Sequence, residues 1–193
     1  MDTLWQSNVV GQIGDIPTSV FTSQADRDVN PDAPICIGMD YNANINWIVA
    51  GQVSEGPWPA TGHQSGQPSG NRLNVLKSFY VKFERKLPAL VDDFCNYYAE
   101  HRNKTVVFYY DTTALGSNYA VNTQDFRWVV IHEFERHGWS VQDVYLGNPM
   151  RHDEKYLLIN QAFQGKQRLM PFFNRQNNDD LILAIQAAGV SRG

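Results

Sequence analysis

The stretch ICIGMD at residues 35–40 decides the fold, because it is a short apolar run that ends in a carboxylate. A run of this length and composition predicts a buried strand. A second run, TVVFYYD at residues 105–111, has the same form and also ends in aspartate. Two such strands in one chain predict a sheet with Asp40 and Asp111 at strand ends, where chemistry is expected.

The elements around these two runs predict one α/β domain with a mixed sheet. Residues 47–53 and 73–83 predict strands that follow the first run closely, an order that favours an antiparallel meander. From residue 87 onward helical periodicity alternates with extended runs, which favours parallel strands with helices on the faces. The predicted helices are 87–98, 123–138 (with Thr123 as N-cap), 152–163 and 179–189, and the later strands are 105–111, 139–146 and 169–173. The domain is expected over residues 35–193, and the polar residues 1–34 are expected to form an arm or linker.

The composition limits the classes of protein that need to be considered. The chain has 193 residues, of which 42% are hydrophobic, so a disordered chain is excluded as a description of the whole. No apolar run approaches the roughly 20 residues of a membrane span, and the N-terminus does not resemble a secretory signal. Two cysteines are too few for a disulfide framework or a zinc site, so a cytosolic setting is expected. The net charge of −4 argues against a general binder of polyanions.

Four aspartates are the candidate catalytic and metal-binding residues. If the strands that end in Asp40 and Asp111 are parallel neighbours, both carboxylates emerge at the same sheet edge, and Asp179 and Asp180 open the last helix. Carboxylates that lie close together repel one another, and a divalent cation relieves the repulsion. Oxygen ligands without Cys or His favour Mg²⁺ or Mn²⁺, and two such ions promote phosphodiester hydrolysis. Aspartate after a strand is also an ordinary turn former or helix cap, and that structural interpretation stays open.

The sequence resembles the nuclease domain of phage terminase large subunits, a branch of the ribonuclease H-like superfamily. The resemblance covers residues 35–189 and is carried first by IGMD at 37–40 and VFYYD at 107–111. Lys155 in a basic helix, RLMP at 168–171 and NDDLILA at 178–184 complete it.

The resemblance implies a ribonuclease H-like sheet of five or slightly more strands, with helices on both faces, and a two-metal endonuclease that cuts double-stranded DNA. Asp40 and Asp111 would be metal ligands, and one or both of Asp179 and Asp180 would complete the set, with a preference for Asp180. The expected DNA contacts are Lys155, Arg151, Lys166 and Arg168. The expected partners are double-stranded DNA and an ATPase motor domain, portal or small terminase subunit, in the cytoplasm of a bacterial host carrying a phage or prophage.

Two departures from the family pattern leave alternatives open. The chain has no GxxxxGK[ST] motif, so the ATPase motor of terminases is missing from it. Some relatives place a histidine beside the last carboxylates, where this chain has Asn177 and Asn178. A Holliday-junction resolvase, a ribonuclease H and a non-catalytic docking module of a packaging complex are the alternatives. Four basic residues near the third strand either contact phosphates or form a solvated face: Lys77, Lys82, Arg85 and Lys86.

Overall fold

The computed structural model describes residues 21–22, 29–41, 44–55, 71–116 and 124–187. The strands in these ranges are β1 (Phe21–Thr22), β2 (Ile35–Asp40), β3 (Ile45–Ser54), β4 (Asn71–Lys82), β5 (Thr105–Tyr110), β6 (Ser140–Tyr145) and β7 (Leu169–Asn174). The helices are α1 (Leu87–Tyr97), α2 (Phe126–Arg136), α3 (His152–Phe163) and α4 (Asp179–Ala187), and a 3-10 turn covers Thr112–Leu115. None of the helices in the described ranges has the length and hydropathy that crossing a membrane requires.

The strands form a mixed sheet with the hydrogen-bonded order β1-β7-β4-β3-β2-β5-β6. β2 is antiparallel to β3 and parallel to β5, and β5 is parallel to β6. β7 is parallel to both β4 and β1. A mixed sheet of this size with accompanying helices is the architecture expected from the sequence, and the predicted fold class is confirmed.

The chain divides into two compact units. The Asp40 unit comprises Asn30–Gln52 and Lys77–Pro149, and the Asp180 unit comprises Met1–Val29, Val53–Leu76 and Met150–Gly193. Most of the predicted arm, residues 1–20 and 23–28, lies outside the described residues, while Phe21–Thr22 forms β1 beside β7. The predicted domain boundary at residue 34 stays a prediction.

The core of the Asp40 unit lies between one face of its strands and the helices α1 and α2. The apolar stripe of α1 includes Leu90, Val91 and Phe94, all fully buried. Phe94 is the centre of an aromatic cluster, with ring centroids 4.9–5.5 Å from those of Phe79, Tyr98, Phe134 and Trp139. This packing fixes the carboxyl ends of β2 and β5, because Ile37 and Phe108 of those strands belong to the same core.

The Asp180 unit is built around β7 and the first half of β4. Leu73 is paired with Pro171 in the parallel register, and Phe163 of α3 stacks on Phe173 of β7 with ring centroids 5.8 Å apart. The guanidinium of Arg72 lies 4.1 Å from the centre of the Phe172 ring. These contacts hold the strand from which the chain leads into α4.

The start of α2 differs from the sequence-based expectation. Thr123 was the expected N-cap, and it lies outside the described residues. The helix begins at Phe126, and the carboxylate of Asp125 accepts the backbone N–H of Trp128 at 2.7 Å. Asp and Thr both suit an N-cap, so the pattern alone did not decide between the two positions.

Candidate functional site

Asp40 is the last residue of β2, and Asp111 directly follows β5, the parallel neighbour of β2. The register pairs Ile35 with Val106 and Gly38 with Tyr109. Continued by two residues, this register places Asp40 beside Asp111 at the carboxyl edge of the sheet. The condition under which Asp40 and Asp111 were expected to emerge at one sheet edge, a parallel pairing of these strands, is therefore met.

The carboxylate of Asp111 is held by the turn that follows it. Its Oδ1 atom accepts hydrogen bonds from the backbone N–H of Thr113 at 2.9 Å and from the hydroxyl of the same residue at 2.5 Å. The backbone N–H of Thr112 donates to the carbonyl of Gly147 at 2.9 Å, which ties the turn to the end of β6. Asp111 is thus a helix cap, as the structural interpretation expected, and its Oδ2 atom accepts no hydrogen bond from the described residues.

Tyr41 lies near a third carboxylate, that of Asp125, in addition to those of Asp40 and Asp111. Its hydroxyl is buried without a hydrogen-bond partner among the described residues, and its ring stacks on Phe126 with centroids 4.7 Å apart. Phe126 directly follows Asp125. Burial raises the pKa of Tyr41, and the negative charges of Asp111, Asp125 and Asp40 raise it further. The phenol therefore lies in a region of negative potential that these three side chains create.

No ion pair compensates these charges within the described residues. Asp40 is exposed and makes no hydrogen bond there, and neither Asp111 nor Asp125 pairs with a basic side chain. Adjacent carboxylates without a cationic partner repel one another. Their oxygen donors fit a hard divalent cation such as Mg²⁺ or Mn²⁺. Within the described part of the Asp40 unit, however, no third ligand atom closes around Asp40 and Asp111.

Asp179 and Asp180 lie at the start of α4 in the other unit, where both are exposed. The preceding Asn178 is wholly buried, and its amide donates to the carbonyl of Val75 at 3.0 Å and to that of Asn174 at 2.8 Å. Asn178 thereby fixes the first turn of α4 to β4 and β7. The set of four carboxylates draws on both units and stays a prediction.

The four residues predicted to contact DNA are exposed and belong to the Asp180 unit. Arg151 forms an ion pair with Asp153 at 2.9 Å. Lys155, Lys166 and Arg168 make no ion pair with the described residues. Their accessibility is compatible with phosphate contacts, which stay a prediction.

Two polar clusters were missed by the sequence analysis. At the end of β5, Arg127 donates to the Tyr110 hydroxyl at 2.9 Å and to Asp143 at 3.0 Å. The hydrogen bond from Arg127 lowers the pKa of the Asp143 carboxyl. The residues of this cluster come from β5, α2 and β6, and no local sequence pattern marks contacts between distant elements.

The second cluster joins α1 to α2. Asp92, Glu133 and His137 have ligand atoms within 4.8 Å of one another. Asp92 accepts from His137 at 2.5 Å and from Arg136 at 2.9 Å, and Arg136 also pairs with Glu133. The spacing of Glu133 and His137, four residues apart on one helix, was visible in the sequence, whereas the approach of Asp92 was not. Because Arg136 and His137 already satisfy both carboxylates, this cluster is an ion-pair network between the helices.

The sequence matches no protein-family model and no curated protein. Among solved structures, the chain is similar to one described as "Thermus thermophilus RuvC structure", with 13% sequence identity and a TM-score of 0.34. The alignment covers 79% of this chain and 91% of that chain. Similarity at this level leaves the function to be argued from the residues themselves.

Asp125 caps α2 and also carries a negative charge near Tyr41, and two substitutions distinguish these roles. We predict that Asp125→Ala lowers the free energy of unfolding by about 1 kcal/mol, because the N-cap of α2 is lost. Asp125→Asn should lower it by far less, because asparagine caps a helix about as well. Urea denaturation of the two variants measures the difference, and an equal loss in both would contradict the cap.

Proposed function

We propose that this chain is a divalent-metal-dependent endonuclease that hydrolyses phosphodiester bonds of DNA. The observation that carries the proposal is the pairing of Asp40 with Asp111 at the carboxyl ends of adjacent parallel strands, without a compensating cation among the described residues. The proposed metal ligands are Asp40 and Asp111 together with Asp180, Asp179 or both.

The protein's own residues hold and orient the ion in this proposal. The turn at Thr112–Leu115 fixes one oxygen of Asp111 and leaves the other available. Asp40 is exposed and makes no hydrogen bond with the described residues, and burial of Ile35 and Ile37 fixes the strand that carries it. A pair of bound divalent ions supplies an activated water and stabilises the leaving oxygen in phosphodiester displacement.

More specifically, we propose a nuclease of the terminase type that acts on double-stranded DNA. This proposal rests on the sequence motifs around Asp40, Asp111 and Asp180. Lys155, Arg151, Lys166 and Arg168 would contact the phosphates, and an ATPase motor domain, portal or small terminase subunit would be the partner. Cleavage of linear duplex, of branched DNA and of an RNA–DNA hybrid distinguishes the terminase, resolvase and ribonuclease H alternatives.

Plasmid cleavage tests the nuclease proposal. Supercoiled DNA is incubated with the chain in millimolar Mn²⁺, in millimolar Mg²⁺ and in EDTA. We expect nicking or linearisation with metal, none in EDTA, and none with Asp111→Asn. The matched control is Asp93→Asn. Asp93 lies on α1 in the same unit, and its exposed carboxylate pairs with Arg85. Cleavage by Asp93→Asn should equal that of the wild type.

Two outcomes would overturn this assignment. Equal cleavage by the wild type and Asp111→Asn would mean that another nuclease contaminates the preparation. A wild type that neither cleaves DNA nor gains thermal stability from the metal would instead favour the non-catalytic docking module.

A further inference from the structure

An exposed aromatic and basic surface lies next to Asp40, and no step of the proposed hydrolysis uses it. We call it the Trp47 platform: the half-buried Trp47 contacts Tyr80, Tyr80 contacts Lys82, and the exposed Phe83 and Lys86 follow in the chain after β4. All of them belong to the Asp40 unit. Trp47 of β3 is the cross-strand partner of Asp40, so the platform begins beside the proposed catalytic carboxylate.

The aromatic part is a pair of contacting rings, of which that of Tyr80 is partly exposed. The rings of Trp47 and Tyr80 have centroids 4.6 Å apart and are tilted by 32°. Tyr80 is 36% exposed, and Phe83, just beyond the end of β4, is 73% exposed. A phenylalanine with that exposure gains little from the core of its own protein, whereas aromatic surfaces bind nucleic-acid bases by stacking, at a gain per base that does not depend on sequence.

The platform contains two lysines, and the exposed Glu84 lies next to Phe83 in the chain. The ammonium of Lys82 lies 5.7 Å from the centre of the Tyr80 ring. Lys82 and Lys86 are exposed and form no ion pair with the described residues, while Arg85 pairs with Asp93 at 2.7 Å and Lys77 is half-buried over the rings of Phe79 and Tyr97. Of the four basic residues near this strand, the structure therefore leaves Lys82 and Lys86 available to an external anion. Cations beside stacked aromatic rings are the combination that single-stranded nucleic acid requires.

The sheet surface on the same side as Asp40 is open at Gly38. Gly38 is exposed in the middle of β2, between Val49 and Tyr109 of the neighbouring strands. A Cβ atom added at Gly38 meets no atom within 4 Å, so packing does not require a glycine there. Glycine inside a strand weakens it and often marks a site where a ligand approaches the backbone closely.

We propose that the Trp47 platform binds unpaired nucleotides of a DNA substrate, so that the strand reaches Asp40 as single-stranded DNA. This inference rests on the proposed nuclease function for its substrate, but not for the binding itself. Trp47 and Tyr80 stack on a base, Lys82 and Lys86 contact the flanking phosphates, and Gly38 leaves room for the chain toward Asp40. DNA with a gap, flap or branch is then a better substrate than intact duplex, and this preference favours the resolvase alternative over a terminase-type nuclease that cuts double-stranded DNA.

Binding measured in EDTA tests the platform without cleavage. Fluorescence anisotropy of labelled dT12 and of a labelled duplex of equal length is recorded with the full chain. We expect the wild type to bind dT12 more tightly than the duplex. Tyr80→Leu and Trp47→Leu should each weaken dT12 binding by about 5- to 100-fold, the effect of losing one stacked base. Tyr80→Phe retains the ring and should stay within about twofold of the wild type.

A matched control removes an exposed ring elsewhere in the same unit. Trp128 of α2 is 37% exposed, similar to Tyr80, and Trp128→Leu should leave dT12 binding unchanged. Circular dichroism verifies that each variant is folded. If Trp47→Leu does not fold, Lys82→Gln and Lys86→Gln keep the proposal testable, because each should reduce both dT12 affinity and its salt dependence.

Three results would overturn the platform. The first is wild-type affinity for dT12 in both Tyr80→Leu and Trp47→Leu, and the second is an equal loss in Trp128→Leu. The third is tighter binding of rU12 than of dT12, which would assign the platform to RNA. Failure of the nuclease proposal has a different signature, since a wild type that binds dT12 through Tyr80 but cleaves nothing refutes the hydrolysis alone.

Discussion

Asp40→Asn is expected to abolish metal-dependent cleavage of DNA. Asparagine has nearly the shape of aspartate but lacks the negative charge that holds a divalent cation. Metal ions contribute several kcal/mol to the stabilisation of a phosphodiester transition state. The loss of that contribution corresponds to a fall in rate of at least about 10³-fold. Initial rates of plasmid nicking with Mn²⁺ measure it, and a rate within tenfold of the wild type would contradict the role assigned to Asp40.

The same substitution should not destabilise the protein in the absence of metal. Asp40 makes no hydrogen bond or ion pair with the described residues, so no favourable contact is lost within them. The negative charges of Asp111 and Asp125 lie in the same region as that of Asp40, because all three act on Tyr41. Removing one charge relieves repulsion, and we expect an equal or slightly higher Tm in EDTA. The stabilisation of the wild type by Mn²⁺, which follows from binding to the folded state, should disappear in Asp40→Asn.

The control distinguishes a site residue from an ordinary surface carboxylate. Asp93→Asn breaks the ion pair with Arg85 at 2.7 Å, which is exposed and contributes about 1 kcal/mol or less. It should leave both the cleavage rate and the stabilisation by Mn²⁺ at the wild-type level. A loss of cleavage in Asp93→Asn as large as in Asp40→Asn would indicate a general effect of charge.

Local sequence patterns predicted the elements that carry Asp40 and Asp111 almost to their ends. The runs 35–40 and 105–111 correspond to β2 and β5, and the stripe from residue 87 corresponds to α1. These predictions were correct because burial on one or both faces of an element imposes a periodic pattern on consecutive residues. The parallel pairing of β2 and β5 entered only as a condition for bringing Asp40 and Asp111 together, and the register meets that condition.

Contacts between distant residues were not accessible to the same reasoning. The pairing of β7 with both β4 and β1 joins segments about a hundred residues or more apart, and no local pattern specifies it. The approach of Asp125 to Tyr41 depends on the stacking of Phe126 on Tyr41, a contact that no local pattern predicts. The Trp47 platform depends on the alignment of β3 against β4 that places Trp47 against Tyr80, and the expected meander did not specify that alignment. Composition suggested basic residues near this strand but not which of them lack an ion pair among the described residues.

Phe94→Ala is expected to be the most destabilising single substitution among those considered for the Asp40 unit. Phe94 is fully buried and contacts the rings of Phe79, Phe134 and Trp139. Removing such a ring from a core costs about 3–5 kcal/mol, because apolar contacts are lost and a cavity remains. Domains have unfolding free energies of about 5–15 kcal/mol in total, so the variant should be close to unfolding at 37 °C.

Chemical denaturation at 25 °C measures this loss, and Phe83→Ala is the matched control. Phe83 is 73% exposed, so its truncation should change the free energy of unfolding by no more than about 0.5 kcal/mol. A loss below about 1 kcal/mol in Phe94→Ala would contradict the packing of α1 against the sheet. Because that packing also fixes the strands that carry the two aspartates, Phe94→Ala should reduce cleavage at 37 °C more than at 15 °C. Asp40→Asn, which acts on the chemistry and not on the fold, should be equally inactive at both temperatures.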